Sequence, residues 1–224
     1  MTAGCALILE RAEHLKVGAY ERSDVRDGQA NGFKPRGLQT TFGKLIAHTA
    51  ANGLPLAAQQ NERLRKAALL DVGLAHALWN TPALGHFPRW ESLAPGIRGG
   101  LGEQMAAQQL HLLSGSFTRD GQLFHWRREG GRTGEIDYLL ELHGAILPVE
   151  VKSGAAGSMK SLHQFMHDKR LPLALRLDRN LPSVQAMAVS TTQGQAVQYT
   201  LLNLPHYLCA FLGEIIPGLS GWHD

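Results

Sequence analysis

Cysteine is scarce in this chain of 224 residues: only Cys5 and Cys209 are present, far apart in sequence. They form neither a disulfide framework nor a metal-type spacing, which points to a reduced, cytoplasmic setting. No apolar run reaches the ~18 residues of a membrane span. The first residues are apolar, but no basic segment precedes them and Glu10, Arg11 and Glu13 soon follow. That pattern reads as a short helix rather than a secretory leader. Eleven histidines are present without an HExxH or zinc-finger spacing. Internal repeats and low-complexity tracts are absent. A phosphate-binding loop is also absent. One residue too many separates Gly37 from Gly43-Lys44, and Leu45 stands where a magnesium-binding Ser or Thr belongs. ATP hydrolysis by this chain alone is therefore not expected. Charge of one sign is nearly balanced by the other, 22 Lys and Arg against 19 Asp and Glu, for a net +3. Mild basicity permits a nucleic-acid partner without requiring one.

What is present centres on Glu135 to Gly154, EIDYLLELHGAILPVEVKSG. Period-two alternation on both sides of His143-Gly144 predicts a hairpin. With those two residues as the loop, Leu142 pairs with Ala145, Leu140 with Leu147, Tyr138 with Val149 and Ile136 with Val151. One face is then apolar, and a one-residue slip would place charges on it. The same register sets Asp137 across from Glu150 and Glu135 across from Lys152. Like charges directly opposed on a sheet are destabilising. Two facing carboxylates call for a shared proton or a hard cation with oxygen ligands. Lys152, two residues after Glu150, could steady an anion or help activate a water. The competing reading is a solvated sheet face with a few charges.

Upstream, residues 18–37 read as a polar, glycine-rich loop. Helices are expected over Thr40–Asn52 and Asn61–Asn80, the second bent or broken at Gly73. Prolines 82, 88 and 95 punctuate a connecting segment. Residues 1–98 thus read as a helical N-terminal region and 99–224 as a second domain. The latter begins with a helix over Gly102–Ser114 and a strand over Gln122–Glu129. After the hairpin come a helix over Ser161–Arg170 that starts at a Ser cap, three strands, and a closing helix in HYLCAFLGEII. That order predicts an α/β (α+β) fold, a mixed sheet with helices on its faces. Trp126, Arg127 and Arg128 offer an aromatic and two cations to a phosphate backbone. Gln164 lies near the same turn as His163 and His167, a pair at metal-compatible spacing for which a solvated helix face is the alternative. Asp71 reads as a structural hydrogen-bonding residue.

An acid on a helix, Glu103, then Asp137, then Glu150-x-Lys152 on successive strands, resembles the site pattern of the PD-(D/E)XK nuclease superfamily. Six fragments in order, KAALLDVGL, GLGEQMAAQQL, HWRREGGRTGEIDYLL, LPVEVKSG, KSLHQFM and LLNLPHYL, resemble the family called domain of unknown function 4143. The resemblance covers about residues 38–213. It implies a restriction-endonuclease-like sheet and a C-terminal module of the kind found behind an AAA-type ATPase, here separated, truncated or standing alone. It implies Mg²⁺ or Mn²⁺ held by Asp137, Glu150 and Glu103, with Lys152 catalytic beside them. Arg127, Arg128 and Gln164 would contact nucleic acid, DNA before RNA, and an ATPase on another chain would be a partner. The implied activity is phosphodiester hydrolysis; the alternative is a non-catalytic DNA-binding or regulatory module. The family often carries Glu where this chain has Gln109. Glu103 and Gln109 are about 240° apart around a helix, so Glu103 would serve alone.

Overall fold

The structure, a computed structural model, describes residues 43–69, 71–79, 93–114, 122–128, 134–154 and 158–218. The helix expected at the N-terminus, the loop over 18–37 and most of the proline-punctuated segment lie outside those residues. The described residues form a mixed α+β fold built on one eight-stranded sheet and four α-helices. The strands are β1 (Gly43–Thr49), β2 (Gln60–Leu69), β3 (Leu123–Arg127), β4 (Glu135–Leu142), β5 (Ala145–Val151), β6 (Leu173–Asp178), β7 (Ser183–Ser190) and β8 (Ala196–Pro205). The helices are α1 (Val72–Leu78), α2 (Pro95–Ser114), α3 (Lys160–Lys169) and α4 (Leu212–Ile215). Spatially the strands run β2-β1-β3-β4-β5-β6-β8-β7. The pairs β1/β3, β5/β6 and β6/β8 are parallel and the other four are antiparallel.

Each face of the sheet carries its own core. Ala106, Ala107 and Leu110 of α2 pack on one face with Leu140, Leu147, Val149, Leu175 and the C-terminal residues Cys209, Leu212 and Ile216. Leu162, Phe165 and Met166 of α3 pack on the other with Phe124, Trp126, Leu139, Ala174 and Leu201. No helix among the described residues is long and apolar enough to cross a membrane.

Two expected helices are strands. Where a helix was read over Thr40–Asn52, residues Gly43–Thr49 form β1. Ile46 packs in the α2-side core and Ala47 against the α3-side core, so both faces of this strand are covered and the alternation that marks a strand in sequence is lost. Asn61–Asn80 divides into β2 and the short α1. The Glu, Arg, Lys, Leu and Ala of β2 favour a helix intrinsically, but pairing with β1 overrides that weak preference. Both strands extend the sheet of the C-terminal half. The boundary expected between residues 98 and 99 falls inside α2, which starts at Pro95 rather than Gly102. Proline suits the first helical turn, where its missing N–H costs nothing. Gly100 permits close packing: a Cβ there would lie 2.7 Å from the Trp79 ring. Helix α3 starts at Lys160 with Met159 as its cap and no side-chain cap bond, so Ser161 is inside the helix rather than capping it.

The central hairpin has the expected register from Leu142↔Ala145 through Leu140↔Leu147 to Tyr138↔Val149. Its turn residues both have positive φ, 49° at His143 and 77° at Gly144. Strands with right-handed twist favour that backbone in a two-residue loop. A Cβ at Gly144 would meet nothing within 4 Å, so substitution there costs backbone strain alone. Gly144→Ala is expected to destabilise the fold by about 1–2 kcal/mol in urea denaturation. His143→Asn, which tolerates the left-handed region, should change stability by less than about 0.5 kcal/mol. Equal midpoints for the two variants would contradict this turn.

Candidate active site

Strands β4 and β5 pair as far as Tyr138↔Val149 and then part. At that fork the Val151 N–H donates to Asp137 Oδ2 at 2.8 Å. The parting follows from a bulge. Phe124 faces Leu139 and Trp126 faces Ile136, so two residues of β4, Asp137 and Tyr138, stand against the single His125 of β3. A bulge re-aims side chains and disrupts the local ladder. Ile136 therefore packs in the α3-side core while Tyr138 and Leu140 pack on the α2 side. The single apolar face expected for Ile136, Tyr138, Leu140 and Leu142 fails at Ile136 for this reason.

Glu150 is buried, at 7% exposure. Its Oε1 accepts from Lys152 Nζ. Its Oε2 is buried with no hydrogen-bond partner. Burial pushes the carboxyl up to about 7; the charge of Asp137 adds to this and Lys152 offsets part of it. Asp137 is also raised, by burial first, with Lys66 and the Val151 N–H pulling the other way. The two carboxylates thus share one electrostatic environment, although the backbone pairing that would set them directly opposite ends one residue earlier. The expected opposition of Glu135 and Lys152 does not form. Glu135 pairs with Lys66, while the Lys152 N–H donates to Leu177 O at 2.8 Å.

Glu103 comes from α2. Its carbonyl accepts from the Tyr138 hydroxyl at 3.0 Å, and its carboxylate is 3.9 Å from Lys66 Nζ. Lys66 is the residue the sequence did not disclose. It lies on β2, is 7% exposed, and reaches Glu135, Asp137 and Glu103 together. Burial alone would lower its pKa, but the three carboxylates raise it well above the ordinary lysine value. Lys66 in turn pulls Glu135 below the ordinary carboxylate range against the effect of burial. His125 borders the group and is held down to about 4 by burial and by Lys66, so it is neutral at pH 7. A cavity of about 610 Å³, bordered by Trp79, Ile97 and Gly100, opens onto Lys66, Glu103 and Tyr138.

The three residues expected to meet nucleic acid divide. Arg127 faces Glu135 across the β3/β4 ladder and helps to lower its pKa. Arg128 donates to Asp168 Oδ2 at 2.7 Å and lies 5.9 Å from the Trp126 ring. Gln164 donates to Asp168 Oδ1 at 2.8 Å and to Gln195 at 3.0 Å. Arg128 and Gln164 therefore form a second polar group joined through Asp168. His163 and His167 have separate partners, the Tyr199 hydroxyl at 2.8 Å and Asp168 at 3.1 Å. Asp71 caps α1, accepting from the Gly73 N–H, as a structural residue would. Among the described residues no three His, Cys, Asp or Glu side chains are grouped to hold a metal. A divalent cation still fits the pair Asp137 and Glu150 in one respect. Both offer hard oxygen, and Glu150 Oε2 is a buried acceptor in want of a partner.

The raised Glu150 pKa has a sign in stability. The folded state holds that proton more tightly than the unfolded chain does. Its stabilising contribution is complete below the ordinary carboxylate pKa and is lost as pH rises toward about 7. Glu150→Gln removes this penalty and keeps an acceptor for Lys152. In divalent-free buffer the variant should exceed the unmodified chain in stability by about 1–3 kcal/mol at pH 8. The difference should shrink or reverse at pH 5. A difference independent of pH would contradict the shift.

No curated protein and no solved structure matches the chain. The model of a family described as a domain of unknown function (DUF4143) matches residues 98–202, the span that carries Glu103, Asp137, Glu150 and Lys152 but not Lys66.

Proposed function

We propose that this chain is a PD-(D/E)XK-like nuclease domain with a restriction-endonuclease-like core, hydrolysing phosphodiester bonds of nucleic acid, DNA before RNA, with Mg²⁺ or Mn²⁺. The observation that carries the reading is the buried, unpartnered Glu150 Oε2 beside Asp137, with Lys152 two residues along. Asp137, Glu150 and the Val151 carbonyl would hold the cation. When bound, such an ion polarises the scissile phosphate and lowers the pKa of a water. Asp137 has one oxygen fixed by the Val151 N–H, so its other oxygen is oriented before any ligand arrives. Glu150 holds the Lys152 ammonium close to the fork, where it can face negative charge developing on a phosphate. Arg127 and Arg128 would supply positive charge for the backbone of the substrate.

A second reading has its own observation. Lys66 and Lys152 already neutralise Asp137 and Glu150 in part, as they would in a non-catalytic DNA-binding or regulatory module acting with an AAA-type ATPase on another chain.

The two readings separate in a cleavage assay on the purified chain with Mg²⁺ or Mn²⁺. Lys152→Ala should still bind the ion, because lysine is not a ligand here, and should cut about 10²–10³-fold more slowly. Asp137→Asn should lose both ion binding and cleavage. Cleavage unchanged in both variants would assign the activity elsewhere. No cleavage by the unmodified chain, with affinity for nucleic acid indifferent to either substitution, would favour the regulatory module.

A further inference from the structure

The two edges of the sheet are unlike. Edge strand β2 carries Glu62, Arg63, Arg65 and Lys66, and its register against β1 shifts between Ala47 and His48. Charged side chains and bulges are devices that keep a sheet edge from pairing with another chain. Edge strand β7, Ser-Val-Gln-Ala-Met-Ala-Val-Ser, has neither. It pairs with β8 in one unbroken register, Ser183↔Asn203 to Ser190↔Ala196, and among the described residues its other side is unpaired. No Asp, Glu, Lys or Arg occurs between Arg179 and Glu214, although 18% of the chain is charged. A long, regular, uncharged edge is a template for a further strand. On one face of β7, Val184 is 56% exposed, and Ala186 and Ala188 are exposed beside it. On the other, Met187 and Val189 pack against the α3-side core.

The composition of β7 selects its own copy as the added strand. A two-fold axis perpendicular to the sheet sets two copies antiparallel and keeps each side chain on its own face. With the axis at Met187, that residue faces its own copy. Ala186 then faces the second copy's Ala188, Gln185 its Val189 and Val184 its Ser190. No pair opposes like charges. Met187, half-buried against the α3-side core, carries that core across the axis. β7 offers no charge for a foreign strand to match, whereas its own copy fits it residue by residue. We propose that β7 is a homodimer interface, joined antiparallel to β7 of a second copy about a two-fold axis at Met187, so that one sheet runs through both copies. The inference is independent of the nuclease reading.

Sedimentation equilibrium of the full chain over a dilution series tests it. The unmodified chain should reach twice the 24.4 kDa of one copy at the concentrated end and dissociate on dilution. Ala186→Lys combined with Ala188→Lys opposes lysine to lysine twice across the axis and should stay at the mass of one copy throughout. Ala186→Lys combined with Ala188→Glu opposes lysine to glutamate twice and should restore the dimer. Both positions are exposed, so both variants should keep the circular dichroism of the unmodified chain. Hydrogen exchange of the unmodified chain needs no variant: β7 amides should exchange more slowly at the concentrated end than at the dilute end. A monomer at every concentration, a dimer that survives the paired lysines, or a folded Lys/Glu variant that stays monomeric would each overturn the inference. A monomer whose β7 amides are protected at every dilution would also overturn it, by placing another segment of the same chain on that edge.

Discussion

The arrangement depends on the parting of β4 from β5 beyond Tyr138 and Val149. The two strands are hydrogen-bonded neighbours in the middle of the sheet, where an unpaired N–H is costly. Asp137 meets that cost by accepting the Val151 N–H with its own carboxylate. One side chain therefore closes the backbone account of the fork and occupies its mouth. The bulge that places it there also turns Tyr138 toward α2, where its hydroxyl ties the helix through the Glu103 carbonyl. Strand geometry, helix position and the acidic cluster are coupled through adjacent residues of β4.

Buried charge follows the same plan. Glu150 and Asp137 lie where burial disfavours ionisation, and both are raised. Lysines approach from two directions, Lys66 from the edge strand β2 and Lys152 from the end of β5. Lys66 divides its charge among three carboxylates, whereas the Lys152 ammonium donates to Glu150 Oε1. That asymmetry leaves Glu150 Oε2 as the one carboxylate oxygen among the described residues that is buried and without a hydrogen bond. An unsatisfied buried acceptor is expensive, and such a cost is tolerated where a function requires it.

Much of this was legible in the sequence, for identifiable reasons. The hairpin register could be read because one buried face and a two-residue Gly turn leave a single consistent pairing. The order of elements after Gly102 was legible for the same kind of reason, from alternation and helical spacing. The bulge was not: an extra residue in β4 is visible only once β3 is set beside it. Nor were β1 and β2, one covered from both sides and the other composed of good helix formers. Lys66 was hidden by that second misreading. As a strand, the run Leu64, Lys66, Ala68 puts a lysine on an inward-facing row, and that was the signal available. The polar group of Arg128, Gln164 and Asp168 joins residues 40 positions apart, which no local pattern discloses.

The central claim is that Asp137 and Glu150 belong to one buried site at the fork. Carboxyl ¹³C NMR titration of Glu150, in the unmodified chain and in Asp137→Asn without divalent ions, tests it most directly. The account predicts that Glu150 titrates near 7 in the unmodified chain and at a lower pH in the variant, since the charge of Asp137 is removed. Titration of Glu150 in the ordinary carboxylate range in the unmodified chain, or at the same pH in both, would contradict it.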